Sequence, residues 1–339
     1  MPPLRLTDRR TLGRSSVSVT ALSLGTAPLG NLFTSVTDTE ATAVVEAAFD
    51  VGIGYLDTAP HYGVGLAEER LGRALADRRQ EPGRSTFTLS TKVGRLLRPL
   101  HKDTDEDKNE VADPQGFVDT PTRARDWDFS ADGIRRSIED SLTRLGLDRI
   151  DVALLHDPDD HEQEVYEAGY AALADLRAQG VLGAIGAGMN QSAMLTSFVR
   201  DLDLDVVLCA GRFTLLDQSA LDDLLPECER RGTSVVIGGV YNSGLLADPR
   251  PGARFDYAPA SERLLHTAQS LAELCGRFGV PLKAAAVQFP FRQPTVASVL
   301  VGCRSAAEVR DNAAVFEHPI PEELWIEIAK SGLVGAGAI

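Results

Sequence analysis

One pattern recurs eight times along the chain: a short apolar run, a loop, and then apolar residues at helical spacing. The runs are Leu22–Gly25, Tyr55–Asp57, Thr86–Lys92, Ile150–His156, Ala184–Ala187, Val206–Cys209, Ser234–Ile237 and Val296–Val301. Stretches such as VVLCA and SVVIG are continuously apolar, the composition of parallel strands covered on both faces. Each run is followed by a helical segment. Thr37 and Glu40 have capping-box spacing ahead of a stripe at Ala41, Val44, Val45, Ala48 and Phe49 that stops at Gly52. The others are predicted at Leu66–Leu75, from Ser130 through Ile134, Ile138, Leu142 and Leu145, and at Tyr166–Gln179, Ala193–Val199, Ala220–Arg231, Glu262–Phe278 and Ala306–Val315. Eight strand-then-helix units predict a closed (β/α)8 TIM barrel, with an open doubly wound sheet as the alternative. The 339 residues suit one barrel domain spanning 1–339.

Ahead of the barrel, Arg10–Gly13 and Val17–Thr20 read as a short hairpin. Two connections exceed the usual loop length: Gly94–Phe129, which contains HKDTDEDKNE, and Leu245–Ala260. Both follow a strand, so both are expected as long loops over the C-terminal rim, where barrel active sites lie.

The formal net charge of −15 disfavours nucleic acid or an anionic membrane as partner. No run of apolar residues is long enough to span a bilayer, and the N-terminal MPPLRLTDRR lacks the apolar core of a signal peptide. Cys209, Cys228, Cys275 and Cys303 are scattered without metal-site or redox spacing, so a reduced, cytoplasmic protein is expected.

Chemistry concentrates in YLDTAPHYG, Tyr55–Gly63. There Asp57 ends a strand, and Tyr62 follows in a strand-to-helix loop of the kind that carries functional groups. Lys92 and His156 end the next two predicted strands. Each has an ordinary explanation: a turn aspartate, a surface tyrosine, a strand-end lysine, a core histidine. In a barrel, however, all four converge on one rim. Lys92 paired with Asp57 would favour the tyrosinate form of Tyr62, which would then move a proton while His156 donates a hydrogen bond to the substrate oxygen. Two other readings are a metal site at His156-Asp157-Pro158-Asp159-Asp160-His161 and a non-enzymatic redox sensor on the same barrel; the complete set of four argues against both.

DTAPHYG with EERLG, STK at Lys92, LLH at His156 and the late VLVGCRSAAEVRDN resemble the aldo-keto reductase superfamily over essentially the whole chain. The resemblance implies a TIM barrel that binds NAD(P) without a Rossmann fold, and Asp57, Tyr62, Lys92 and His156 as the catalytic tetrad. TAPLGNLF, KVGRLLRP, AGRFTLLDQ and VVIGGVYNSGLLA are similar to the branch holding L-fucose dehydrogenase, D-threo-aldose 1-dehydrogenase and pyridoxal 4-dehydrogenase. That branch implies oxidation of an aldose at C1 to its lactone, with pyridoxal oxidation or general carbonyl reduction as alternatives. By the same resemblance, Asn190, Gly302, Arg304, Ser305, Glu308 and Asn312 would hold the cofactor, and no metal is needed. The chain departs from the family at Gly238, where an aromatic usually stacks on nicotinamide, at Met189, and at Cys209-Ala210. Glu308 stands where many members have a basic residue and would repel a 2′-phosphate, while Arg304 would attract one; the balance is toward NAD over NADP. Arg95, Arg98, Arg212, Tyr241 and Asn242 are rim candidates for sugar hydroxyls.

Overall fold

A computed structural model of the chain describes residues 4–100, 116–335 and 337–339. Eight parallel strands form a closed barrel: β3 (Leu22–Gly25), β4 (Tyr55–Asp57), β5 (Thr88–Val93), β8 (Val152–His156), β9 (Ala184–Met189), β10 (Val206–Ala210), β11 (Ser234–Gly238) and β14 (Val296–Gly302), neighbouring in that order. The TIM-barrel expectation therefore holds and the open sheet does not. The N-terminal hairpin pairs β1 (Arg9–Thr11) with β2 (Ser18–Thr20).

Within the barrel the chain divides into two compact units, Ser23–Ala187 with Gly302–Arg310, and the remainder. In the first, Leu24 sits opposite Leu56, Leu56 opposite Leu89, and Lys92 opposite Leu154. In the second, Val206–Ala210 runs in register with Ser234–Gly238, and Ser298 Oγ donates to the carbonyl of Thr20 at 2.7 Å.

Local chemistry sets the helix starts. Thr37 and Glu40 make the expected reciprocal cap on Asp38–Asp50, and Ser130 accepts from the Gly133 amide to start Ala131–Leu145. Gly146 ends that helix in the left-handed region.

Several boundaries differ from the sequence expectation. β5 begins at Thr88, because Gly83–Thr86 forms a 3-10 turn. The segment expected as one helix over Tyr166–Gln179 starts earlier, at Glu162, and passes through a π-helical stretch at Val165–Gly169 before Tyr170–Ala178. The helix expected at Ala220–Arg231 is interrupted where Asp223 caps Leu224–Arg231. Helices Leu282–Gln288 and Glu322–Ser331 were not expected.

Both long connections contain strands. In the first, β6 (Arg95–Pro99) pairs antiparallel with β7 (Arg123–Trp127), while HKDTDEDKNE lies outside the described residues. In the second, β12 (Arg254–Phe255) pairs with β13 (Ala258–Pro259).

Candidate active site

β4, β5 and β8 are neighbours and point the same way, so Asp57, Lys92 and His156 emerge together at their C-terminal ends. Tyr62 joins them through the turn after β4. That turn is fixed by backbone contact: a Cβ on Gly63 would lie 2.4 Å from the carbonyl oxygen of Gly30, and one on Gly30 would lie 2.6 Å from the Tyr62 carbonyl carbon. Only glycine allows such an approach, and at Gly63 the φ of +61° requires it as well.

Lys92 is the hub. Its ammonium donates to Asp57 Oδ2 at 2.6 Å, to the Thr58 carbonyl at 3.0 Å and to the Tyr62 hydroxyl at 2.9 Å. Asp57 is fully buried, and its other oxygen accepts from Ser90 Oγ at 2.6 Å, which in turn accepts from the Tyr55 hydroxyl at 3.0 Å. Burial works against the charge on Lys92, but Asp57 and Tyr62 more than offset this and hold the ammonium above its ordinary pKa.

His156 packs edge-on to Tyr62, with ring centroids 5.9 Å apart, and edge-on to His61 at 5.5 Å. Burial, then the charges of Arg95 and Lys92, push its pKa well below the usual histidine range, so the ring is neutral. Its Nδ1 is buried without a partner, and its Nε2 lies 3.6 Å from Asp157 Oδ2. His61 is held neutral in the same way, pushed down to about 2 by burial and then by Arg95 and Arg125. Phe117 closes against both His61 and Tyr62. The arrangement presents a charged lysine against a phenol, beside a neutral imidazole able to donate from one nitrogen. Such an arrangement has the chemistry needed to move one proton.

The sequence treated Asp157 only as a metal ligand. The structure instead ties it to Arg95 at 2.6 Å, while His161 pairs with Glu164. Among the described residues no group of three or more His, Cys, Asp or Glu is placed to hold a metal. The four cysteines are buried and none is in a disulfide among the described residues.

The residues expected at the cofactor are otherwise engaged. Asn190 is exposed after β9, and its carbonyl accepts from Arg212 Nε at 2.7 Å. Arg212 also pairs with Asp217 and Asp256. Gly302 ends β14, where a Cβ would press on the Pro28 ring at 2.9 Å. Ser305 accepts from the Glu308 amide, and Glu308 folds back onto both the Arg304 amide and its guanidinium, at 2.8 and 3.0 Å. Asn312 is buried and accepts from the Tyr241 hydroxyl at 2.8 Å. Of the remaining rim candidates, Arg98 pairs with Asp126 at the surface. Asn242 is different: it is 2% exposed, in a left-handed turn at φ 46°, and neither atom of its amide has a partner. A buried orphan amide is costly to keep and marks a place where a ligand could supply the missing bonds. At Gly238 a Cβ would make only ordinary contacts, with Leu208 and Ala210 at 3.5 and 3.6 Å, so close packing at that point does not require a glycine.

A barrel with this quartet at its strand ends defines a class, and the chain belongs to the aldo/keto reductase family, whose match spans residues 21–332. Over 94% of this chain and 96% of the relative, it is 44% identical to a D-threo-aldose 1-dehydrogenase from a Pseudomonas species. It is 39% identical to a pyridoxal 4-dehydrogenase of Microbacterium luteolum, covering 98% of this chain and 99% of that one. Among solved structures, an aldo-keto reductase from Bacillus halodurans in its holo form superposes with a TM-score of 0.74 at 25% identity, over 98% of this chain and 97% of that one. The chain is thus an oxidoreductase of a family that uses nicotinamide cofactors.

Proposed function

We propose that the protein oxidises an aldose of the L-fucose or D-threo type at C1 to its lactone, with Asp57, Tyr62, Lys92 and His156 as the catalytic tetrad. The observation that carries this is the three-way bond of the Lys92 ammonium to Asp57, Thr58 and Tyr62 beside a neutral His156. Tyr62 takes the proton of the anomeric hydroxyl. Lys92, kept charged by Asp57, stabilises the phenolate that this requires. His156 donates from Nε2 to the same substrate oxygen and orients it. A bound nicotinamide dinucleotide supplies the hydride acceptor for C1.

In this reading Asn190, Gly302, Arg304, Ser305, Glu308 and Asn312 would hold the dinucleotide, exchanging part of their present hydrogen bonds for it, and the unpartnered amide of Asn242 would be a further contact. NAD is favoured over NADP, because the Arg304 guanidinium is already committed to Glu308. A cytoplasmic, single-domain barrel enzyme acting on a small molecule is part of the same reading. No described helix is long and apolar enough to cross a membrane.

Pyridoxal is the second reading. It rests on the 39% identical relative and on its hemiacetal form, which offers the same reacting group as a cyclic sugar. Purified protein supplied with a panel of aldoses and pyridoxal, with NAD and with NADP, tests both through reduced-cofactor absorbance and lactone analysis. Turnover of simple alcohols or aldehydes alone, with no lactone from any of these substrates, would leave a general carbonyl reductase.

A further inference from the structure

The four proposed catalytic groups leave one costly arrangement beside them unexplained. Asp157, directly after His156, is in the left-handed region at φ 40°. Aspartate tolerates this better than most residues, but an outlier next to reacting groups calls for a reason. The turn places the carboxylate against two partners. Its Oδ2 accepts from Arg95 Nη2 at 2.6 Å and lies 3.6 Å from His156 Nε2.

Arg95 is equally constrained. Its side chain is only 7% exposed, its guanidinium stacks on Trp127 at 4.1 Å, and its Nε is buried without a partner. The residue before it, Gly94, has φ +97°, and a Cβ there would meet the Phe129 ring at 2.1 Å. A buried arginine, a strained aspartate and an obligatory glycine are thus combined to hold one carboxylate beside one imidazole nitrogen.

The carboxylate has capacity to spare. Among the described residues the one hydrogen bond to this carboxylate falls on Oδ2, and the side chain is 22% exposed while its two partners are nearly sealed. Arg95 has its charge answered by Asp157, so the pair is not a receptor for a substrate carboxylate or phosphate. What it offers is an acceptor, and the matching group is a neutral hydroxyl.

We infer that Asp157 is a specificity-determining residue that accepts a hydrogen bond from the hydroxyl on the carbon next to the reacting one. The substrate class is therefore a 2-hydroxy cyclic hemiacetal. The inference rests on the proposed C1 oxidation. An oxygen held by His156 Nε2 at ordinary hydrogen-bond distance, about 3 Å, brings the neighbouring hydroxyl of an aldose within reach of Asp157. Arg95 acts as a positioning residue that holds the carboxylate in place. Burial, the larger influence, raises the Asp157 pKa above the ordinary carboxylate value, and the Arg95 charge works against that rise.

The test compares L-fucose with 2-deoxy-L-fucose in the wild-type enzyme, Asp157→Asn and Asp157→Ala, read as kcat/KM. A site built to bond a hydroxyl rejects the analogue lacking it strongly, so the wild type should favour L-fucose by at least about a hundredfold. That ratio should fall at least tenfold in Asp157→Ala and by less in the isosteric Asp157→Asn, with rates on the deoxy sugar much less affected. Comparing ratios cancels the intrinsic reactivity difference of the two sugars. If the wild type treats them alike, or if the variants lose activity on both in equal measure, Asp157 only braces His156 and the inference fails while the proposed function stands. If the wild type oxidises no aldose, both fall. Asp157→Asn keeps the volume and the left-handed turn, so it supplies the comparison of ratios should Asp157→Ala not fold.

Discussion

The strand-end quartet and the residues expected at the cofactor solve opposite problems. Around Lys92 the polar groups are buried and bonded to one another, so geometry is set by the fold. At Arg304–Glu308 the side chains are part-exposed and occupied with starting a helix, and at Asn242 an amide is buried with no partner. Groups that perform chemistry gain from being pre-positioned, whereas groups that hold a large ligand can be engaged with one another, as at Arg304–Glu308, or left unpaired at a cost, as at Asn242, until it arrives.

Substitution at the quartet should break this comparison most visibly. Tyr62→Phe removes one hydroxyl and leaves the ring, so turnover should fall about 100- to 10,000-fold while NADH binding, followed by tryptophan quenching, persists. More than a tenth of wild-type turnover would remove Tyr62 from the proton-transfer role. Lys92→Met strands the buried Asp57 carboxylate, at a cost of about 3–5 kcal/mol in urea unfolding. In the folded fraction the alkaline limb of the pH–rate profile should move to higher pH; an unmoved limb would make Lys92 structural only.

Acid should act on the same half of the comparison. The pKa values of His61 and His156 are depressed in the fold, so the unfolded chain binds protons first as pH falls. Their contribution to stability is fully present above the unfolded histidine value of about 6.5 and declines below it. Urea midpoints measured on either side of that pH check the sign. Replacing both by glutamine should flatten the decline.

Effects at the cofactor residues should be smaller. Glu308→Arg releases Arg304 and adds a second cation, so the NADP-to-NAD ratio of kcat/KM should rise about tenfold, or 1.4 kcal/mol. A constant ratio would place Glu308 away from the 2′-position. Asn242→Gly keeps the left-handed turn and removes the orphan amide. It should leave stability unchanged or raise it by about 1 kcal/mol while weakening NADH binding; unaltered binding would remove Asn242 from the cofactor site.

The barrel was legible because buried parallel strands are written as continuous apolar runs, and the helix starts because Thr37-x-x-Glu40 and Ser130 carry their own caps. Asp57, Lys92 and His156 could be grouped because a barrel brings strand ends together. The hairpin of β6 and β7 was hidden, since its arginines and prolines read as loop and its stability comes from contacts such as Arg95 on Trp127. The link from Asp157 to Arg95 spans 62 positions and has no local signature. Glu308 had been weighed against Arg304 as opposing influences on a phosphate; their mutual salt bridge, one helical turn apart, was the simpler relation.

The saturation of the Lys92 ammonium has a directional consequence. Three hydrogens leave its nitrogen, and three acceptors receive them: a carboxylate, a carbonyl and a phenol oxygen. A protonated amine has no lone pair to offer in return. The hydrogen on Tyr62 therefore has no route back into the protein through the lysine and must travel on the opposite side of the oxygen. The buried ammonium thus takes no proton from Tyr62, and whatever accepts the phenol's proton has to approach from another side.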